Sequence, residues 1–297
     1  VGPVSKAFHD DNRFVTGLMG PFASGSSVAC CWKIYFHAML QVKQKDGVRR
    51  SRYAVVRSTY RELDDSTVRT WNEWMGDWGD LKVTNMSFML EFDSPDGSKI
   101  EAEILFRALD KPDDVKKLLS TEYTGAWVNE AREVPPAIFE GLTGRVGRYP
   151  SERNGGCIRP MVLIDTNPPD NDHWIYKLFE VKYHEDAQIR EEYGMHYQPP
   201  GVVKIDGKWE DNWGQGFEEK KDEDGNVVKI PIPKAENIEN LNPGYYRRMC
   251  IGKDPEWIKV YGQGKYGFVQ DGKPVFPQYN DDLHCQEFAA DPELPLM

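Results

Sequence analysis

Three short segments carry polar side chains of the kinds that phosphate chemistry uses. The first, Gly20-Pro21-Phe22-Ala23-Ser24-Gly25-Ser26-Ser27, is a glycine- and serine-rich turn. A loop of this kind offers backbone N–H groups to phosphate oxygens, and a helix starting within it adds a partial positive charge. Gly20, Gly25 and Ser27 fit the spacing G-x-x-x-x-G-K-[ST], which makes the Ser27 hydroxyl a candidate Mg2+ ligand. The lysine of that pattern is missing, because position 26 is Ser. Taken alone, a Gly/Ser turn before a helix is as often a simple N-cap.

The second segment, residues 124–131, is an apolar run that ends in Asn129 and Glu130. A carboxylate just past such a run can orient and deprotonate an attacking water, while the residue before it supports the metal. Glu130 is therefore the candidate base, and Asn129 would have to serve the metal through a neutral oxygen. The structural alternative is a helix cap followed by a first-turn acid. The third segment is the apolar run 159–165 followed by Thr166-Asn167-Pro168-Pro169. Polar groups at the C-terminal edge of a parallel strand face the ligand crevice of such sheets. Thr166 and Asn167 could sense a γ-phosphate there and relay its presence; the alternative is a plain strand-to-loop turn. The three segments together, in this order, carry the polar chemistry of ATP hydrolysis.

Strands and helices must hold these segments in place. Residues 14–19 form a short apolar run ending at Gly20-Pro21. Residues 28–41 follow with bulky apolar side chains at helical spacing (Val28, Trp32, Tyr35, Phe36, Met39, Leu40). Residues 53–57 predict a strand and 63–74 a helix with Trp71 and Trp74 on one face. Residues 87–92 and 100–106 alternate around Ser94-Pro-Asp-Gly97, a hairpin pattern. Helices over 113–119, 135–142 and 173–179 and strands over 125–129 and 159–165 complete the alternation. Such alternation implies an α/β fold with a mainly parallel central sheet flanked by helices. From about residue 201 to 234, Pro, Gly, Asp, Glu and Lys dominate and predict a long loop or small insertion. Residues 240–253 predict a short helical pair, and 266–297 a strand plus linker.

Composition narrows the classes. With 297 residues, 29% charged and 39% hydrophobic, the chain suits a globular α/β domain with an appendage. No apolar run approaches the roughly 18 residues of a membrane span, and the first ten residues lack a secretory layout. No membrane partner is expected, and the expected setting is cytoplasmic. Five cysteines without paired metal spacing predict neither disulfides nor zinc, with Cys30 and Cys31 as buried thiols. His173 and His284 lack partner ligands and are read as structural. Trp71, Trp74, Trp78 and Trp127 are read as core. The net charge of −11 is partly concentrated in residues 210–223, so it leaves room for a local DNA-binding patch.

With these residues in view, the chain resembles the large subunit of tailed-phage terminases, the DNA-packaging motors, over essentially its whole length. Residues 52–71 are similar to the strand and helix after the family's Walker A segment, and 124–135 to its Walker B block. Thr143-Gly-Arg145-Val-Gly-Arg148-Tyr-Pro150, Thr166 to Pro169 with His173-Trp174, and Asn240-Leu-Asn-Pro-Gly-Tyr-Tyr246 also fit. So do Gly264-Lys-Tyr-Gly267, Pro274-Val-Phe-Pro-Gln-Tyr279 and His284. The resemblance implies a P-loop NTPase of the additional-strand, catalytic-glutamate class, using ATP and Mg2+. The expected organisation is an ATPase core over 1–200, an insertion and linker subdomain over 201–265, and a linker over 266–297 towards a nuclease domain that this chain lacks.

The implied partners are double-stranded DNA, the portal protein and a small terminase subunit, with a homo-oligomeric ring, a pentamer, on the portal in the host cytoplasm. In such a ring a neighbouring copy would supply an arginine finger, for which Arg145, Arg148 and Arg107 are candidates. Ser26 departs from the family's lysine, and losing that charge-assisted contact, worth about 1.5–3 kcal/mol, would slow turnover or weaken ATP binding about 10- to 100-fold. No Lys or Arg lies between Phe14 and Trp32, which leaves a residue such as Arg57 as a substitute. The competing readings are a nucleotide-binding, hydrolysis-impaired scaffold docked on the portal, and a helicase-like ATPase outside packaging.

Overall fold

Short apolar strands alternating with helices assemble into one eight-stranded sheet in the computed structural model, which describes residues 2–221 and 226–268. The strands are Val15–Met19 (β1), Val48–Arg57 (β2), Gly79–Lys82 (β3), Ser87–Asp93 (β4), Lys99–Ala108 (β5), Gly125–Asn129 (β6), Met161–Thr166 (β7) and Tyr193–Tyr197 (β8). Their order is β3-β4-β5-β2-β6-β7-β1-β8. From β5 to β8 every neighbouring pair is parallel, while β4 and β3 close one edge antiparallel. The strand β7 is inserted between β1 and β6, as the additional-strand arrangement requires.

The central strands β1, β6 and β7 are buried along their whole length, which suits strands covered on both faces. One face is covered by the helix Ser26–Leu40 and the helical run Tyr60–Glu62, Leu63–Val68 and Arg69–Met75, around Ile34, Leu63, Trp71 and Trp127. On the other face, Pro136–Thr143 and the helix starting at Trp174 pack Ile138, Phe139, Leu142 and Ile175 against Val128 and Ile164. The helix after Gly25 turns its small residues to the sheet: Ala29, Cys30, Ile34 and Ala38 are buried, whereas Phe36 and Leu40 are half exposed. The larger Trp32 and Tyr35 pack on Trp78 and Phe92, so the bulky residues at helical spacing form an outer aromatic layer. Small residues let the helix approach the sheet closely. Cys30 and Cys31 are buried free thiols.

Several elements differ from the expectation. Strands β3 and β8 carry too few apolar residues to stand out, and they lie at the sheet edges. The stretch predicted as a loop holds two hairpins, Val202–Ile205 with Lys208–Asp211 and Phe217–Lys221 with Val227–Pro231. Val202, Ala235, Ile238, Tyr246, Cys250 and Ile258 form a small core of their own there. Of the helical pair expected over residues 240–253, one helix, Tyr245–Cys250, follows the turn at Asn242, and the next helical stretch lies just beyond, at Pro255–Trp257 and Ile258–Gly262. Trp74 is 42% exposed, although Trp71 on the same helix is fully buried. The predicted strand and linker from 269 onward, with Pro274, Tyr279 and His284, lie outside the described residues. Among the described residues no helix is long and apolar enough to cross a membrane.

Trp71 meets Phe88 and Phe106 edge-on at 6.0 and 6.2 Å. Trp71→Ala is expected to cost about 3–5 kcal/mol, and Trp74→Ala under about 1 kcal/mol. Urea denaturation midpoints of the two variants test this contrast.

Candidate nucleotide-binding site

The turn Gly20 to Ser27 joins the C-terminal end of β1 to the helix Ser26–Leu40. Gly25, the residue before the helix, has φ +84°, a left-handed conformation that favours glycine. The preceding Ala23 is also left-handed, at φ +56°. Side chains from three other segments fix backbone carbonyls of the turn, and a fourth segment accepts one of its N–H groups. Asn167 Nδ2 donates to Gly20 O at 2.8 Å, Gln198 Nε2 to Ser24 O at 3.0 Å and Asn237 Nδ2 to Ala23 O at 2.7 Å. Phe22 N–H donates to Tyr261 O at 2.9 Å, and the two rings stack 4.2 Å apart. With its carbonyls bound outward, the loop keeps a shape that a phosphate can approach from the N–H side.

Beneath the loop lies a carboxylate that was not singled out from the sequence. Asp165, the penultimate residue of β7, is 1% exposed. It accepts from Trp127 Nε1 at 2.7 Å, from Ser27 Oγ at 2.8 Å, from Ser26 Oγ at 3.3 Å and from Asn129 Nδ2 at 3.0 Å to each oxygen. Asn129, expected to serve a metal through its oxygen, has that oxygen engaged elsewhere in this structure. Its Oδ1 accepts from Thr67 Oγ1 at 2.6 Å and from Arg57 at 3.2 Å, and its Nδ2 turns to Ser27 and Asp165. The opposite amide orientation would set two acceptors together at Asp165 and two donors together at Arg57. One signal was available in the sequence: a single acid inside a wholly apolar strand, beside a strand whose expected acid is Asn.

Glu130 follows β6 in the left-handed region, at φ +48°, and opens a tight turn through Glu133. Its half-buried carboxyl is pushed up to about 7 by burial and by the nearby Asp165, with Arg57 pulling the other way. A base poised near neutrality suits proton abstraction from water. Arg57, buried at the end of β2, lies 3.2 Å from Glu133 and 4.0 Å from Glu130, and makes no contact with Gly20 to Ser27. In this structure its guanidinium is engaged by Glu130, Glu133 and the Asn129 oxygen. Thr166 and Asn167 join the two halves. Thr166 O accepts from Gly20 N–H at 3.3 Å, its Oγ1 accepts from Arg132 N–H at 3.2 Å, and Asn167 holds Gly20.

A family model described as phage terminase large subunit matches residues 23–253. The chain belongs to the phage terminase large subunit family. No curated protein matches it in sequence. The terminase chain is similar in structure to the large terminase of a thermophilic bacteriophage, with TM-score 0.56 and 11% identity over 90% of this chain and 50% of that one. The same bacteriophage's large terminase in complex with ADP gives TM-score 0.55 and 11% identity over 89% and 50%. The ATPase domain of the Thermus phage P74-26 large terminase, in an arginine-to-alanine mutant, gives TM-score 0.51 and 14% identity over 90% and 94%. This terminase chain therefore spans about half the length of the first relative and nearly all of the isolated ATPase domain, and shares their fold.

The candidate arginines of this terminase chain stand apart from the loop. Arg107 and Arg145 line a surface cleft with Arg52, Glu103 and Glu122. The Arg145 guanidinium donates to Thr121 O, and Arg148 is exposed. The first lysine after the loop, Lys33, is turned away from it and donates to the carbonyls of Phe8 and Asp11. His173 caps the helix at Trp174 and bonds Arg132 O, which is a structural use. Gly25→Ala places a side chain in the left-handed region and is expected to lower stability by about 1–2 kcal/mol. Chemical denaturation of the variant beside the unaltered chain measures it.

Proposed function

We propose that this chain is the ATP-hydrolysing motor part of a phage terminase large subunit, coupling hydrolysis to movement of double-stranded DNA into the procapsid. The observation that supports it most is the insertion of β7 between the loop strand and the Glu130 strand, with Thr166 and Asn167 bonded to both. In this reading the loop Gly20 to Ser27 cradles the phosphates with its remaining N–H groups, those of Gly20 and Phe22 being bonded to Thr166 O and Tyr261 O. Glu130 orients the attacking water and takes its proton. The oxygens of Ser27 and Asp165 are hard donors of the kind Mg2+ prefers, and the ion would neutralise developing charge on the phosphate oxygens. Ser27 would hold it. A change at the γ-phosphate would reach Thr166 and Asn167, and from there both loops.

The same reading assigns a ring, a pentamer on the portal in the host cytoplasm, with a small terminase subunit choosing the DNA. Arg145, Arg148 or Arg107 of a neighbouring copy would meet the transferring phosphate. Ser26 favours a second reading, a nucleotide-binding scaffold on the portal that does not hydrolyse, because no cation occupies the loop's lysine position. ATP hydrolysis by the chain, with and without duplex DNA, decides between them. In the motor reading Ser26→Lys raises turnover about 10- to 100-fold, and Glu130→Ala lowers it about 100- to 10,000-fold. Nucleotide binding without hydrolysis in either the chain or the lysine variant would leave the scaffold reading standing.

A further inference from the structure

We propose, resting on the nucleotide-site reading above, that Asp165 supplies the carboxylate of the Mg2+ site and that Asn129 is its positioning residue. Asp165 stands at the end of β7, one strand over from Asn129 at the end of β6, and the two are register partners on those parallel strands.

The argument begins with charge. Asp165 is buried, and all four side chains that donate to it are neutral. Among the described residues no Lys, Arg or His forms an ion pair with it. Its oxygens are bonded by neutral donors alone, so a divalent cation beside Ser27 would supply the opposite charge that this set lacks. The Arg57 guanidinium, the nearest candidate in the site, is committed to Glu130, Glu133 and the oxygen of Asn129. The Ser27 hydroxyl, the expected metal ligand, donates to Asp165 Oδ2 at 2.8 Å. Mg2+ keeps several of its waters, so a carboxylate hydrogen-bonded to one of the ion's ligands acts on it directly or through a water. Asn129 cannot do the same, because it presents Nδ2, a donor, to Ser27 and Asp165.

Calorimetric titration of ADP into the chain, in MgCl2 and in EDTA, tests this without any turnover. The unaltered chain is expected to bind ADP more tightly with Mg2+, and Asp165→Asn to lose about 10- to 100-fold of that gain while matching the unaltered chain in EDTA. Asn keeps an acceptor for the Trp127 N–H, and thermal melting checks that the variant is folded. If Asp165→Asn also weakens binding in EDTA, the exchange Asn129→Asp with Asp165→Asn decides. Recovery of the Mg2+ gain in the exchanged chain supports the proposal, and its absence overturns it. A full Mg2+ gain in Asp165→Asn overturns it too, as does ADP binding by the unaltered chain that ignores Mg2+; both leave the nucleotide site intact. No ADP binding in either buffer overturns the nucleotide-site reading itself, and this inference with it.

Discussion

A carboxylate buried at the end of a central strand sets the terms for the rest of the site. Burying Asp165 among apolar side chains is unfavourable unless its oxygens are fully bonded. The donors come from two separate elements: Trp127 and Asn129 from β6, and Ser26 and Ser27 from the start of the helix after Gly25. Each can reach Asp165 only if β6 and β7 keep their register and the helix starts where it does. Trp127 contributes twice, filling the core with its ring and bonding Asp165 with its N–H.

From that point the loop and the catalytic turn are held as one unit. Gly20 is bonded by both Thr166 and Asn167, and Thr166 also receives the N–H of Arg132 two residues past Glu130. A shift at the end of β7 therefore moves both sides of the phosphate site together. The lobe beyond β8 reaches the same loop from outside, through Asn237 to Ala23 and through Tyr261 against Phe22. Nucleotide contacts are thereby mechanically linked to the part of the chain farthest from β1 in sequence. Such a link is what a motor needs, since it converts a local change at a phosphate into motion of a neighbouring unit.

Much of this was legible from local rules. The Gly/Ser turn, the apolar strand ending in Asn129 and Glu130, and the Thr166-Asn167 edge depend on side-chain periodicity and strand ends, which are local properties. The hairpin at Ser94 to Gly97 was legible for the same reason. Asp165 was not, because its meaning depends on which strand lies beside it. The edge strands β3 and β8 and the hairpins at 202–211 and 217–231 were missed because strands of four or five residues are too short for an alternating pattern to stand out.

By itself the sequence determined the α/β class, the place of the Gly/Ser turn and of Asn129-Glu130 at strand ends, and the absence of a lysine at position 26. All of these follow from residue type and near-neighbour spacing. Only the tertiary structure decided that Asp165 on β7 meets Ser26, Ser27 and the Asn129 nitrogen, and that the Arg57 guanidinium lies against Glu130 and Glu133. Those facts rest on register between strands distant in sequence and on which donor is left for which acceptor. A buried charge selects among such arrangements, because any unpaired donor or acceptor beside it costs more than the surrounding packing can return.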